Sequence, residues 1–163
     1  MYPEKIERFF KEVADISVLA NSSLFVCRAD GVNLFHMNGL GQEANEMSVG
    51  ALLGGVWHAA RELVKFIPKQ NDEDVFRLSF DTSSQGVYIL PIKLVDEEFY
   101  LGLIYFDEMN PGFVKSRLRD LAFRLQEFLE KDSEKKAAKK DESVLFENIS
   151  DDEMDNLFSF ASN

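Results

Sequence analysis

Residues 23–37, SLFVCRADGVNLFHM, consist of two short apolar runs that meet at Ala29-Asp30-Gly31. An Asp-Gly pair between two apolar runs is a strong hairpin signal, because glycine tolerates the positive φ that a tight turn needs. The stretch therefore predicts two antiparallel strands that are neighbours in a sheet.

Helical patterns lie on both sides of this hairpin. Before it, apolar residues at helical spacing predict an amphipathic helix over about residues 3–16. Later in the chain, Asn110-Pro111 predicts another helix start, because asparagine is a good cap and proline suits the first helical position. Between these two, a long helix is predicted over about residues 44–67. Its apolar stripe consists of Val49, Leu53, Val56, Ala60, Leu63 and Ile67.

Three more strands are predicted between the second and the third helix. DVFRLSFD (74–81) alternates between apolar and polar residues, whereas VYILPIKLV (87–95) and FYLGLIYF (99–106) are more continuously apolar, as strands covered on both faces are. Pro91 cannot donate to a sheet ladder and therefore marks an edge or a bulge. The element order predicts an α+β fold, a five-stranded and mainly antiparallel sheet flanked by helices.

A second side of the long helix is rich in small residues. Each glycine inside a helix costs about 1 kcal/mol relative to alanine, so a structural reason is expected. Close approach of another helix backbone is such a reason, and this helix is apolar or small on more than one side. We therefore predict that the domain alone does not cover this helix. The predicted interface residues are Ala51, Gly54, Gly55, His58 and Glu62.

The element order and its sequence detail resemble the Roadblock family of small dimerising domains, and in particular its MglB-like members. The resemblance covers about residues 1–130, and Trp57-His58 departs from it because the family has small residues there. The motifs that carry it are Arg28-Ala29-Asp30-Gly31, the small-residue helix from Ser48 to Phe66, Tyr88-Ile89-Leu90-Pro91-Ile92 and Leu101-Gly102-Leu103-Ile104.

This resemblance implies a Roadblock-like α/β/α sandwich that forms a homodimer, in which the second helices pair and the two sheets join. It also implies a regulatory adaptor: a platform for a Ras-like small GTPase of the MglA type, in bacterial polarity or motility signalling. Such a platform reshapes the switch regions of the GTPase and contributes no catalytic residue of its own.

The composition of the chain changes near Lys131. The next stretch, DSEKKAAKKDES, has no large apolar residue, so it predicts a solvated linker. Acidic and large apolar residues alternate in the segment that follows. We therefore divide the chain into a folded dimerisation domain, residues 1–131, and a flexible, disordered acidic tail, residues 132–163.

A short helical motif is predicted in this tail at about residues 149–160. Ser150 followed by Glu153 is a capping-box pattern, and apolar side chains fall on one face of the resulting turn. The motif resembles the CheY-binding segment of the flagellar switch protein FliM, which implies a CheY-like receiver domain as its partner. A solubilising tail, or one that folds back on its own domain, is the alternative. The predicted partner-binding residues are Ile149, Glu153, Met154, Asp155, Leu157 and Phe158.

Composition and charge argue against several classes of function. The net charge of −11 makes nucleic acid and anionic membrane surfaces poor partners. Cys27 is the single cysteine, so the chain cannot form an intrachain disulfide or a cysteine-built metal site. No segment approaches the ~20 apolar residues of a transmembrane helix, and the N-terminus lacks the apolar stretch of a signal peptide. These features predict a cytoplasmic protein.

No catalytic, metal or cofactor site is predicted, and we expect the chain not to be an enzyme. Of the two histidines, His36 and His58, His58 is interpreted as a surface or interface residue, and Cys27 is interpreted as a small core residue. Arg28 and Arg61 are candidates for arginine fingers towards a bound nucleotide. For Arg61, pairing with neighbouring acids or a place beside the helix interface is the simpler interpretation.

Two alternatives to the GTPase platform stay open. The first is a scaffold whose tail peptide captures a receiver domain or another partner, with the dimer supplying avidity. The second is a small-molecule sensor domain, which predicts a closed pocket lined by phenylalanine and tyrosine side chains.

Overall fold

The structure is a computed structural model that describes residues 2–41, 45–68, 71, 75–108 and 110–147. Residue contacts divide the chain into two units, residues 1–129 and residues 130–163. None of the helices in the described ranges combines the length and the apolar character that crossing a bilayer requires.

The predicted hairpin is present as β1 (Ser22–Arg28) and β2 (Asn33–Asn38). The Gly31 N–H donates to the Arg28 carbonyl at 2.9 Å, and the Arg28 N–H donates to the Val32 carbonyl at 2.9 Å. This pattern is a three-residue loop that ends in a left-handed residue, which is Gly31 with a φ of +87°. The hairpin prediction is confirmed.

Three further strands complete the sheet: β3 (Leu78–Asp81), β4 (Gly86–Lys93) and β5 (Glu98–Tyr105). Their order across the sheet is β2-β1-β5-β4-β3, and every pair of neighbours is antiparallel. The five-stranded antiparallel sheet that the sequence predicted is therefore confirmed.

The edge strand β3 is shorter than the predicted strand of residues 74–81. It begins at Leu78, which pairs with Ile89, so the outer side of β4 beyond Ile89 has no strand beside it in the described part of the chain. Pro91 lies in this unpaired part, where its missing N–H removes no ladder bond. The prediction that Pro91 marks an edge is confirmed.

Three helices accompany the sheet, and each begins close to its predicted start. They are α1 (Tyr2–Arg8), which continues as a π-helical turn over Phe9–Val13, α2 (Glu46–Val64) and α3 (Pro111–Glu147). Asn110 Oδ1 accepts the Phe113 N–H at 3.1 Å, which is the predicted cap of α3. Asn45 caps α2 in the same way.

The helix α3 extends further than the sequence predicted. Residues 132–147 are helical, whereas they were predicted to belong to a disordered tail. The stretch is rich in alanine, lysine and glutamate, which have high helix propensity and need no apolar face to adopt a helix. The predicted motif at residues 149–160 lies outside the described residues.

The sheet has a helical layer on each face. The first core, on the side of α1 and α3, contains Ile6, Phe9, Leu24, Val26, Leu90, Phe99, Leu101, Leu103, Leu118 and Leu125. The second and smaller core lies under α2 and contains Phe25, Cys27, Leu53, Trp57, Ile89 and Tyr100. The result is an α/β/α sandwich in which the core under α2 is the smaller of the two.

An ion pair fixes α3 to the edge strand. The Lys115 ammonium bonds the Asp81 carboxylate and also donates to Ser79 Oγ at 2.7 Å. The Tyr105 hydroxyl donates to the same carboxylate at 2.8 Å. Lys115 first, and Tyr105 second, hold the pKa of Asp81 below its ordinary value.

Candidate functional site

The helix α2 buries one face and leaves the opposite face in solvent. Leu53 and Trp57 pack on the sheet and are 5% and 4% exposed. Leu52 and Leu63 point away from it and are 68% and 69% exposed. Isolated apolar residues on a surface need no explanation, but a row of them on one helix face marks an interaction surface.

The exposed apolar residues recur at steps of four and three, which keeps them on one side of the helix. The row continues into the turn after α2, where Phe66 is 86% exposed. Ala51, Gly55 and Ala59 follow a parallel row at steps of four. We call this surface the outer face of α2. Its members are Ala51, Leu52, Gly55, Val56, Ala59, Leu63 and Phe66.

The two adjacent glycines of α2 lie in opposite environments. A Cβ added to Gly54 would stand 2.6 Å from the Tyr100 hydroxyl and 3.1 Å from the Gly31 Cα. Gly54 is thus required for α2 to approach its own sheet. A Cβ added to Gly55 would meet no atom of the described residues within 4 Å. Nothing in the described part of the chain explains why position 55 is glycine.

The structure therefore divides the predicted interface residues into exposed ones and one that faces the inside of its own chain. Ala51, Gly55 and Glu62 are exposed. Gly54 faces the inside of its own chain, because it lies against Gly31 across the hairpin turn, and no pattern within the helix reveals that contact. Its place in the interface stays a prediction.

His58 and Glu62 have partners within the chain. His58 Nε2 lies 2.7 Å from the Ala29 carbonyl oxygen, and since a carbonyl only accepts, Nε2 carries the proton. Glu62 pairs with Lys65 at 2.6 Å, and Lys65 first of all holds the pKa of Glu62 below its ordinary value. His58 thus joins α2 to the hairpin turn.

The predicted stripe from Val49 to Ile67 mixes both faces of the helix. Its member Leu53 is buried, whereas Val56 and Leu63 are exposed. The sequence did contain the signal that was missed, because Leu52, Val56, Ala59, Leu63 and Phe66 also recur at four-three spacing. Two overlapping periodicities on one helix are what an element covered from two sides shows.

The sheet adds apolar surface on the same side as α2. Phe80 of β3 pairs in register with Val87 of β4, and Phe80 is 80% exposed. An open cavity of about 570 Å³ lies there, bordered by Phe80, Val87, Ile104 and Phe106 among others. The helix α2 therefore covers only part of its face of the sheet.

The groups that were considered for catalysis are held in structural roles. Burial raises the pKa of the Cys27 thiol to about 12, which keeps it protonated. Arg28 pairs with Asp30 in the hairpin turn, and Arg61 pairs with Glu98 at 2.6 Å. Across the described ranges no three His, Cys, Asp or Glu side chains cluster as a metal site would require.

The tail residues that were predicted to bind a partner lie outside the described part of the chain. They are Ile149, Glu153, Met154, Asp155, Leu157 and Phe158.

Solved structures of MglB proteins share this arrangement. An MglB with a tetrameric arrangement superposes with a TM-score of 0.61 at 16% identity, over 80% of this chain and 90% of that one. The gliding protein MglB of Thermus thermophilus gives 0.61 at 16% identity, over 80% and 91%. Myxococcus xanthus MglB gives 0.53 at 18% identity, over 74% and 89%.

No protein-family model matches the sequence, and no curated protein matches it. At the identities above, the likeness to the solved structures concerns the course of the backbone. The antiparallel sheet with α1 and α3 on one face and α2 on the other is the fold of the MglB proteins, and the resemblance to Roadblock domains is confirmed for the fold.

Proposed function

We propose that this chain is a non-catalytic regulatory adaptor, which forms a homodimer through the outer face of α2 and serves as a platform for a Ras-like small GTPase of the MglA type. The observation that carries the proposal is the exposed apolar row of α2. The fold and the Roadblock resemblance, with its implied role in polarity or motility signalling, support it.

The free energy gained by burying the outer face is too small to hold a dimer together by itself, so the dimer needs a second contact region. Burying a leucine, valine or phenylalanine contributes about 1.5–3 kcal/mol, and association costs about 4–15 kcal/mol. In a symmetric pair each chain contributes Leu52, Val56, Leu63 and Phe66, so eight large side chains are buried, and each gains less than full burial because its own chain already covers part of it. Their burial therefore roughly offsets the cost of association. Additional surface, such as that around Phe80, is needed for a stable pair.

The small residues of the outer face fit the pairing of two helices. Ala51, Gly55 and Ala59 lie four residues apart, so they form a shallow groove along α2. A groove of this kind admits the ridge of a second helix and lets the two backbones approach closely. Position 55 then has a reason to be glycine, which its own chain does not supply.

The oligomeric state tests the first half of the proposal. We expect light scattering coupled to gel filtration to give the mass of a dimer for the whole chain and of a monomer for Leu63→Glu. The matched control is Val95→Glu, which places the same charge at a residue that is 96% exposed but lies in the β4–β5 turn. A monomeric wild type, or a Leu63→Glu variant that still dimerises, contradicts the proposal.

The GTPase half is tested by capture and by hydrolysis. We expect the dimer to retain the Ras-like GTPase of the same organism in a pull-down and Leu63→Glu to lose most of it. We also expect Arg28→Ala and Arg61→Ala to leave any effect on the rate of GTP hydrolysis within about threefold, because a catalytic arginine finger supplies 10³-fold or more. If either substitution reduced the effect on the rate of GTP hydrolysis far more than threefold while capture stayed normal, the chain would contribute to catalysis.

A second proposal concerns the acidic tail, residues 132–163. We propose that the motif at residues 149–160 docks as a short helix in the groove of a CheY-like receiver domain, and the observation that favours it is the Ser150–Glu153 capping box ahead of Leu157 and Phe158. Alone, so short a helix is marginal in water, so a partner has to supply its apolar environment.

Truncation after Glu147 tests the tail while it keeps every described residue. We expect the truncated chain to keep the mass of the whole chain's oligomer but to lose binding to a beryllofluoride-activated receiver domain in calorimetry. Leu157→Ala with Phe158→Ala should lose it as well, whereas Ser162→Ala serves as the matched control. Unchanged binding by the truncated chain contradicts this second proposal.

A further inference from the structure

A groove of about 230 Å³ lies between α3 and the part of β4 that β3 leaves unpaired. We call it the edge groove. Its apolar lining consists of Leu90 and Pro91 of β4, Ala122 and Phe123 of α3, and Val75 ahead of β3. Phe123 is 62% exposed and Val75 is 53% exposed, so the groove presents apolar surface to the solvent, as interaction sites do.

The polar part of the edge groove is positively charged. Arg77 and Arg119 line it, and none of the described residues that line it is an aspartate or a glutamate. The Arg119 guanidinium donates to the Tyr88 hydroxyl at 3.3 Å, which is a neutral partner. Within the described part of the chain, no ion pair of the Arg77 side chain is found. An occupant that is both apolar and acidic would complement this lining.

The tail contains a segment of that chemistry. Residues 151–158, DDEMDNLF, combine carboxylates with three large apolar side chains, Met154, Leu157 and Phe158. Guanidinium groups bind carboxylates through two parallel hydrogen bonds, so the acidic residues suit the two arginines of the groove. The large apolar residues suit the exposed phenylalanine and valine beside them.

We propose that the edge groove binds residues 151–158 of the second chain of the dimer. The same chain is the poorer source, because α3 continues as one helix from Phe123 to Glu147 and a continuous helix does not fold back on itself. The second chain is held nearby at a high effective concentration, so even a weak contact forms. The inference therefore rests on the proposed dimer. A segment bound in this way is withheld from a receiver domain until it is released.

Hydrogen exchange read by mass spectrometry tests this on the whole chain. At about 100 μM we expect residues 149–160 to exchange at least about tenfold more slowly than the same residues in a synthetic peptide. Arg77→Gln with Arg119→Gln, the groove variant, should lose this protection. The matched control is Arg117→Gln, which removes the same charge from an exposed position of α3 that does not line the groove, and it should keep the protection.

Mixing two variants tests whether the segment comes from a second chain. The groove variant keeps an intact segment, and the tail variant, Leu157→Ala with Phe158→Ala, keeps an intact groove. Alone, each should exchange as fast as the peptide. After the two are mixed and have exchanged subunits, the intact segment of the groove variant should regain its protection in the mixed pairs. The two tails differ in mass, so the spectrum reports them separately.

The inference is overturned if the wild-type segment exchanges as fast as the peptide, or if Arg117→Gln loses as much protection as the groove variant. It is also overturned if mixing restores no protection. Light scattering on the same samples reports the dimer separately. A dimeric wild type without restored protection contradicts this inference alone, whereas a monomeric wild type contradicts the proposed dimer and this inference with it.

Discussion

Gly54 and Gly55 are neighbours in the sequence, yet the same substitution should have opposite effects at the two positions. Gly54→Ala places a methyl group 2.6 Å from the Tyr100 hydroxyl, so we expect it to lower the free energy of unfolding by about 1–3 kcal/mol. Gly55→Ala meets nothing among the described residues and should raise the free energy of unfolding by about 1 kcal/mol in a monomeric background such as Leu63→Glu. Urea unfolding of the wild type, Gly54→Ala, Leu63→Glu and the double variant Leu63→Glu with Gly55→Ala measures both effects.

In the background that can dimerise, Gly55→Ala should weaken association, because its methyl group fills the groove between Ala51 and Ala59. A variant that is more stable as a monomer and weaker as a dimer is hard to explain unless a second chain covers position 55. If Gly55→Ala dimerised as tightly as the wild type, the interface would have to lie elsewhere.

Cys27 supplies a probe of global unfolding. It is the single cysteine, it is fully buried, and burial raises the pKa of its thiol to about 12. We expect a thiol reagent such as iodoacetamide to label the native protein at least about 10³-fold more slowly than the chain in urea, because labelling requires unfolding. Labelling at comparable rates would show that β1 opens locally and that the core under α2 is loose.

At the scale of single residues, local chemistry explains which residue roles could be predicted from the sequence. Asp30-Gly31, Pro91 and Asn110 act on the backbone within a few residues of themselves, so a hairpin loop, an edge and a helix cap could be predicted from short stretches of sequence. The role of Gly54 depends on Gly31, which is distant in the chain. No local pattern contains that contact.

Among the elements, the attachment of α3 to β3 depends on one carboxylate. The pKa of Asp81 is lowered in the folded protein, first by Lys115 and then by Tyr105, so Asp81 stabilises the fold above its ordinary pKa of 3.8. That contribution is lost as the pH falls through the lowered value. We expect Asp81→Asn to reduce stability at about pH 7 and to flatten the decline between about pH 4 and about pH 2. Urea unfolding at several pH values measures both.

Ser79→Ala is the milder companion of this variant, because it leaves the carboxylate in place and removes the smallest of the contributions that lower the pKa of Asp81. It should flatten the acid decline less than Asp81→Asn does. An acid profile of Asp81→Asn that parallels the wild type would mean that other carboxylates carry the acid sensitivity.

Helix faces were harder to predict than helix positions. The periodicity of α2 is satisfied by a stripe through Leu53 and by another through Leu52, and only the contact with the sheet decides which of them is inside. The strand β3 illustrates a second limit, since residues 75–77 have strand-like composition but are not paired with β4, whereas the next residue, Leu78, is. For α3, the high helix propensity of residues 132–143 was outweighed in the prediction by their lack of large apolar side chains.

At the scale of the whole molecule, self-association should be visible in thermal stability. If two chains bury the outer face of α2, the unfolding midpoint of the wild type should rise as its concentration is raised from about 1 to about 100 μM, by mass action. Leu63→Glu should show a midpoint that does not depend on concentration. Calorimetry on both proteins, with Val95→Glu as the control, measures this. A constant midpoint for the wild type would argue against the dimer.

The sheet order β2-β1-β5-β4-β3 is also a property of the whole molecule, and the sequence did not contain it in readable form. The pairing of β1 with β5 joins residues that lie more than seventy positions apart, as Ser22 and Tyr105 do. Composition indicated that β4 and β5 are covered on both faces, but it did not indicate which strand is their neighbour. The fold class was predictable because class depends on element type and order alone.

The short edge strand β3 affects how readily other chains can attach to this sheet at the high protein concentrations of a cell. Beyond Ile89, the outer side of β4 has no paired strand in the described part of the chain, and an unpaired sheet edge is a template on which another chain can add a strand. Pro91 interrupts the row of donors there, and Lys93 adds a charge that a second strand would have to bury. Pro91 and Lys93 thus disfavour polymerisation through strand addition at the part of β4 that β3 leaves unpaired.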